Sequence, residues 1–198
     1  MEKALLICLL AYLAGSVNFA ILFFKIAGLA DPRLSFSGNA GTTNVYRQAG
    51  MLWAVLVFTL DIGRALAVAA VAMHFIHGEW LAWAAFFLVL GNSFPCFHGF
   101  RGGKGVANYL GFTLLVAPWA TLLAAIIWVS VYWVKRTPFI ASLFMAATLS
   151  VGNAAPFQWS LSATLGALAT FVLIFVNHGS NMTQYAKDKQ AEGQDEQS

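Results

Sequence analysis

The chain has 198 residues, of which 60% are hydrophobic and only 10% charged, with a net charge of +3 and a mean hydropathy of +0.72. A soluble domain of this size cannot hide so much apolar surface, so the composition predicts an all-α integral membrane protein, multi-pass and surrounded by lipid bilayer. It excludes a nucleic-acid partner, because the basic residues sit in pairs along short loops instead of forming one patch. Cys8 and Cys96 read as packing residues, and His74 with His77 as an interfacial pair, so no metal site is expected.

Apolar runs cover about 4–28, 51–75, 80–97, 106–134, 139–155 and 159–177, against the ~20 residues that a spanning helix needs. The first run has a basic residue before it (Lys3) and a cleavage-like Ala14-Gly15-Ser16. It continues through Phe24, however, and reads as a retained first helix. The loop that follows, Asp31 to Gly50, is the longest in the body of the chain. Its Ser37, Gly38, Asn39, Gly41, Thr43 and Asn44 make hydrogen bonds and tight turns but no apolar core. Asn44 and Arg47, three apart, would share a helix face, and a guanidinium suits phosphate. The alternative is an ordinary solvated loop. Within the second run, Asp61 and Arg64 are expected to form a structural ion pair supporting a site from below.

The stretch Gly99-Phe100-Arg101-Gly102-Gly103-Lys104-Gly105-Val106-Ala107 lies between two apolar runs, with Gly91-Asn92-Ser93-Phe94-Pro95 just before it. Glycines let bare N–H groups approach a ligand. If Val106 opens a helix, those groups lie at its N-terminus, where anions are stabilised. Lys104 adds a full charge, so Gly102, Gly103, Lys104 and Gly105 suggest a phosphate site, without the spacing of a nucleotide P-loop. A flexible basic loop is the competing reading.

As one straight helix the run 106–134 would be ~43 Å long, beyond the ~30 Å hydrocarbon core, and Pro118 stands near its middle to break it. The basic residues Arg33 with Arg47, Arg101 with Lys104, Lys135 with Arg136, and Lys187 with Lys189 all face the cytoplasm only if this run crosses twice. About seven transmembrane helices result, with the N-terminus outside and the C-terminus cytoplasmic. Ser142 falls one turn into the helix after Thr137-Pro138, and His178 and Asn181 would share one face at the cytoplasmic boundary. His178 also reads as a simple helix cap. Residues 1–185 form a single polytopic membrane domain, and the polar tail 186–198 is expected to be disordered.

These three loops, taken together, resemble the bacterial acyl-phosphate:glycerol-3-phosphate acyltransferase family over nearly the whole chain, Leu13 to about Tyr185. The first motif is similar to Ser37-Gly38-Asn39-x-Gly41-x-Thr43-Asn44-Val45-x-Arg47-x-x-Gly50. The second is similar to Gly91-x-x-Phe94-Pro95-x-Phe97-x-Gly99-Phe100-x-Gly102-Gly103-Lys104-Gly105-Val106-Ala107. The third, a His-x-x-Asn signature, matches His178 and Asn181. The chain departs from the family's usual pattern at Asn92, Arg101, Arg64, Phe139, Gly179 and Gln184.

The resemblance implies transfer of a fatty acyl group from acyl phosphate to glycerol 3-phosphate, giving lysophosphatidic acid, at the cytoplasmic face of the bacterial inner membrane. It implies no cofactor and no covalent acyl-enzyme, with functional coupling to the soluble enzyme that makes acyl phosphate. Carried over, Ser37, Gly38, Asn39, Gly41, Thr43, Asn44, Arg47 and Ser142 would bind substrate with the backbone of Gly102, Gly103 and Gly105, while Lys104, His178 and Asn181 would be catalytic. Either His178 or a substrate phosphate oxygen would be the base. A diverged relative that is inactive or uses another acceptor, and a transporter of organic phosphate, are the rival readings.

Overall fold

The computed structural model describes residues 1–195, and these form helices and connecting turns without a β-strand. The helices are α1 (Glu2–Gly15), α2 (Phe19–Ile26), α3 (Thr42–Ala49), α4 (Met51–Phe75), α5 (Trp80–Ser93), α6 (Val106–Val116), α7 (Pro118–Lys135), α8 (Pro138–Ala154), α9 (Leu161–Asn177) and α10 (Gly179–Asp195). Five stretches are long and apolar enough to cross a membrane: Glu2–Ile26, Met51–Phe75, Trp80–His98, Pro118–Lys135 and Pro138–Phe157. The pair α9–α10, bent by 47°, gives a sixth candidate. The expected break in 106–134 falls at Ala117, where Pro118 takes the first position of α7. The resulting α6 has 11 residues, about 16 Å of helix against a ~30 Å hydrocarbon core.

α5 is the centre of the bundle and packs against α1, α4, α6, α8 and α9, with Ala84, Ala85, Leu88 and Val89 fully enclosed. Its closest neighbour is α1. A Cβ on Gly91 would collide with the Tyr12 carbonyl, and one on Gly15 with the Leu88 carbonyl, so the two backbones touch only because both residues are glycine. Along α4 the buried positions are Ala54, Val57, Asp61, Ala65, Ala69 and Ala72, while Leu52, Val55, Leu56 and Phe58 point outward. Apolar character therefore does not separate inside from outside here. Lipid accepts leucine as readily as the core does, and small size marks the helix–helix faces instead.

Polar side chains inside the bundle are paired across helices. The Tyr109 hydroxyl lies 3.1 Å from Ser150 Oγ, and the Asn153 amide donates to Thr113 Oγ1 at 2.6 Å, joining α6 to α8. The first span is interrupted at Ser16-Val17-Asn18, where Asn18 Oδ1 accepts from Ile21 N at 3.1 Å and caps α2. At the other end of the chain, α10 carries the helix on to Asp195, through the segment from Ala186 for which a disordered tail was expected. Residues 196–198 of that expected tail lie outside the described residues.

Candidate active site

The loop between α2 and α3 is built around its own polar side chains. The Asn44 amide donates to the carbonyls of Pro32 (2.7 Å), Asn39 (2.9 Å) and Ser35 (3.2 Å), and Gln48 also reaches Pro32 O at 2.9 Å. Gly38 turns the chain at φ 66°, and Asn39 closes the turn onto Ser37 O at 2.9 Å. Asn44 is consequently buried, whereas Arg47, on the same α3, is exposed. The two do not act as one face. Asn44 shapes the loop from within, and the Arg47 side chain stands exposed. Thr43 is exposed beside it, while Ser37, Asn39 and Gly41 are half-buried.

The loop between α5 and α6 is held by its own backbone. Gly102 N donates to Ser93 O and Gly103 N to Asn92 O, each at 3.0 Å. These N–H groups are spent on closing the loop, so the expectation that they point at a phosphate is corrected. The two glycines serve close approach instead. A Cβ on Gly103 would stand 2.8 Å from Ala40 O and 2.9 Å from Asn92 Nδ2, and one on Gly102 would strike Asn92 O. Gly105, at φ 84°, turns the chain into α6 without a side-chain cap. The first helical bond is Tyr109 N to Gly105 O at 2.9 Å. The N–H groups of Val106, Ala107 and Asn108 therefore have no partner within the helix, the arrangement that favours an anion at a helix N-terminus.

The third part is the junction of α9 and α10. His178, the first residue beyond α9, is buried, and its Nδ1 lies 2.8 Å from Ile174 O. A carbonyl only accepts, so Nδ1 carries the proton and Nε2 keeps its lone pair. Three residues on, Asn181 Oδ1 accepts a hydrogen bond from Lys104 Nζ. Asn177 Nδ2 donates to Ser93 Oγ at 2.8 Å and fastens the junction to the end of α5. Lys104 is partly buried beside the Arg47 charge, and burial first, then Arg47, brings its pKa down to about 8.

Below these loops, Arg64 is a hub. It pairs with Asp61 at 2.9 Å and donates to Asn108 Oδ1 at 2.5 Å, to Asn92 Oδ1 at 3.3 Å and to the Val17 carbonyl, while Phe19 stacks 5.1 Å from its guanidinium. One arginine thus joins the break in the first span to the end of α5 and the first turn of α6. Asn18 completes the circuit. Its Nδ2 donates to Ala40 O at 3.1 Å, and Ala40 N donates to Gly102 O at 3.1 Å. Ser142 stands apart from this assembly in its contacts, because its hydroxyl accepts from Trp128 Nε1 at 3.2 Å and ties α8 to α7. Asn18, Asn92 and Asn108 were not singled out as site residues from sequence; the available signal was an amide alone in an apolar segment.

The whole arrangement can be compared with known proteins. The family model for glycerol-3-phosphate acyltransferase matches residues 5–188. The chain belongs to that family. A glycerol-3-phosphate acyltransferase of Pseudomonas fluorescens is 38% identical over 179 residues, covering 89% of this chain and 93% of the relative. The fold of this acyltransferase is similar to the crystal structure of PlsY (YgiH), an integral membrane glycerol 3-phosphate acyltransferase. The glycerol 3-phosphate form of that protein superposes with a TM-score of 0.85 at 32% identity, covering 93% of this chain and 92% of the other. Its lysophosphatidic acid form gives 0.82 at 30%, with the same coverage. This acyltransferase is an all-helical integral membrane enzyme.

Proposed function

We propose that this acyltransferase takes its acyl group from an acyl phosphate and passes it directly to a hydroxyl of glycerol 3-phosphate, releasing lysophosphatidic acid and inorganic phosphate. The observation that carries this reading is the meeting of Lys104, Asn181 and buried His178, with the Arg47 charge felt at Lys104. An acyl phosphate is a mixed anhydride with a good leaving group, so two cationic side chains and a helix N-terminus supply what the reaction needs. The hydroxyl oxygen forms the new ester bond to the acyl carbon, and the bond from that carbon to the phosphate oxygen breaks.

The proton has two acceptors to choose from. His178 Nε2 faces the hydroxyl as orienting group and candidate base, and a substrate phosphate oxygen is the other acceptor. Ser37, Asn39, Gly41 and Thr43 line the phosphate with Arg47, while Gly38, Gly102, Gly103, Gly105 and Asn44 shape the loops around it. Ser142 acts at a distance by tying α8 to α7. The basic loops support a cytoplasmic position for this face, with about seven crossings, the short α6 counted as one, and the N-terminus outside. The enzyme then sits in the bacterial inner membrane, where the soluble enzyme that makes acyl phosphate can deliver its product.

Purified protein in detergent, given palmitoyl phosphate and glycerol 3-phosphate, is expected to yield lysophosphatidic acid and phosphate in equal amounts. Phosphate release alone would mean a different acceptor, and neither product from folded protein would overturn the reading.

A pH profile tests the role of Lys104. A lysine with a lowered pKa is charged below that value and loses its charge as the pH rises. The kcat/KM for glycerol 3-phosphate should therefore fall through an apparent pKa near 8. Saturating substrate should move this limb upward, since a bound phosphate favours the charged amine. Lys104→Arg should remove the limb from the profile.

A further inference from the structure

The loop before α3 contains a second arginine, placed quite differently from Arg47. Arg33 lies on a short 3-10 turn, Pro32–Leu34, that opens at Asp31. Asp31 Oδ1 accepts from Arg33 N at 2.9 Å, which fixes the turn, and the same carboxylate grips the guanidinium. Nε lies 2.9 and 3.1 Å from the two carboxylate oxygens, and Nη2 lies 2.5 Å from Oδ2. Nη1 crosses to the other loop, donating to His98 O at 2.6 Å and to Arg101 O at 2.8 Å. Nε, Nη1 and one hydrogen of Nη2 are thereby committed to protein acceptors. A cation so occupied has little left for a phosphate, and the Arg33 hydrogen bond also holds the Asp31 carboxyl below its usual range.

The two carbonyls it holds bracket the turn His98-Gly99-Phe100-Arg101, which includes Gly99 at φ 67° and Phe100 at φ 56°. A phenylalanine in left-handed backbone costs of order 1 kcal/mol or more and persists only where its surroundings impose it. That turn leads directly into Gly102-Gly103-Lys104. Besides Arg33, the two loops meet through Ala40 N and Gly102 O. Both contacts lie just ahead of the two cations, Arg33 and Ala40 before Arg47 and residues 98–102 before Lys104.

We propose that Arg33 is a positioning residue for glycerol 3-phosphate: its fork, braced by Asp31, clamps the 98–101 turn to the first loop and so fixes the separation of Arg47 and Lys104. The proposal rests on the reading that those two cations share the substrate phosphate. Its consequence is a split between kinetic constants. Loosening the clamp spoils the fit of a phosphate held from both loops and raises KM for glycerol 3-phosphate. A defect in folding would lower the active fraction and leave KM unchanged.

The test uses full-length Arg33→Lys, Arg33→Gln and Arg47→Ala, each shown to elute and melt like the parent. Both Arg33 variants are expected to raise KM for glycerol 3-phosphate about fivefold or more, with kcat within about threefold and the acyl-donor KM unchanged. Lysine keeps the charge but cannot bridge two carbonyls and a carboxylate. Asp31→Asn should shift the same KM in the same direction. An unchanged KM in Arg33→Gln, or full rescue by Arg33→Lys, would overturn the clamp. If Arg47→Ala also left KM and turnover intact, the underlying phosphate reading would fall with it; if Arg47→Ala raised KM while the Arg33 variants did not, only the clamp would fall.

Discussion

Lys104→Ala is expected to cut kcat/KM by about a thousandfold or more, the scale found when one preorganised electrostatic contact to a reacting centre is removed. Three losses coincide. The only full positive charge in the α5–α6 glycine stretch beyond Arg101 disappears, at the point where α6 opens with unpaired N–H groups. Asn181 Oδ1 loses its donor, and with it the link between α10 and the loop. On the proposed reading, Arg47 is left to hold the phosphate from one side. Lysophosphatidic acid formed by the purified variant is the measurement, and turnover above a tenth of the parent's would overturn the site. Asn181→Ala should cost less, because it leaves the ammonium in place. A larger effect for Asn181→Ala than for Lys104→Ala would show that the amide, not the cation, meets the substrate.

Arg64→Ala should be the most destabilising single change, by about 3–5 kcal/mol, because it leaves the Asp61 carboxylate without a counter-charge inside the bundle. It also frees Val17 O, Asn92 and Asn108, three acceptors on three separate segments. Thermal melting in detergent, read by loss of the monodisperse peak, checks it. The double variant Asp61→Asn/Arg64→Ala should recover part of the loss, since a neutral amide needs no counter-charge. If the double variant melted no higher than Arg64→Ala, the carboxylate would not be the source of the penalty, and the hub contacts would account for all of it.

The membrane class, the run boundaries, the break before Pro118 and the family resemblance were legible in the sequence because each rests on local composition or a contiguous motif. Which helix faces look inward was not legible. On α4 the core is lined by alanines while leucines face lipid, so periodicity of hydrophobicity carries no signal. Individual site residues were legible as residue types, but the partnership of Lys104 and Asn181 spans 77 positions and depends on how α9 returns beside α5. The roles of Gly102 and Gly103 were misread for a related reason: whether an N–H is free depends on the carbonyls of Asn92 and Ser93. Arg33 was counted only as a basic residue for topology, since its neighbours on the other loop are 65 and 68 positions away. The polar stretch of α10 gave no periodic apolar signal, yet it contains no proline and many good helix formers, and it simply continues past the bend.

The bend at His178 has a bearing on biosynthesis. The loops that contain Arg47 and Lys104 precede α6 and enter the membrane early, but His178 and Asn181 follow the apolar helix α9. A nascent chain still held in the ribosome at that point has both cationic loops inserted and no partner for Lys104. Chains stalled before α9 should therefore be membrane-integrated yet silent, because neither His178 nor Asn181 has yet come beside Lys104.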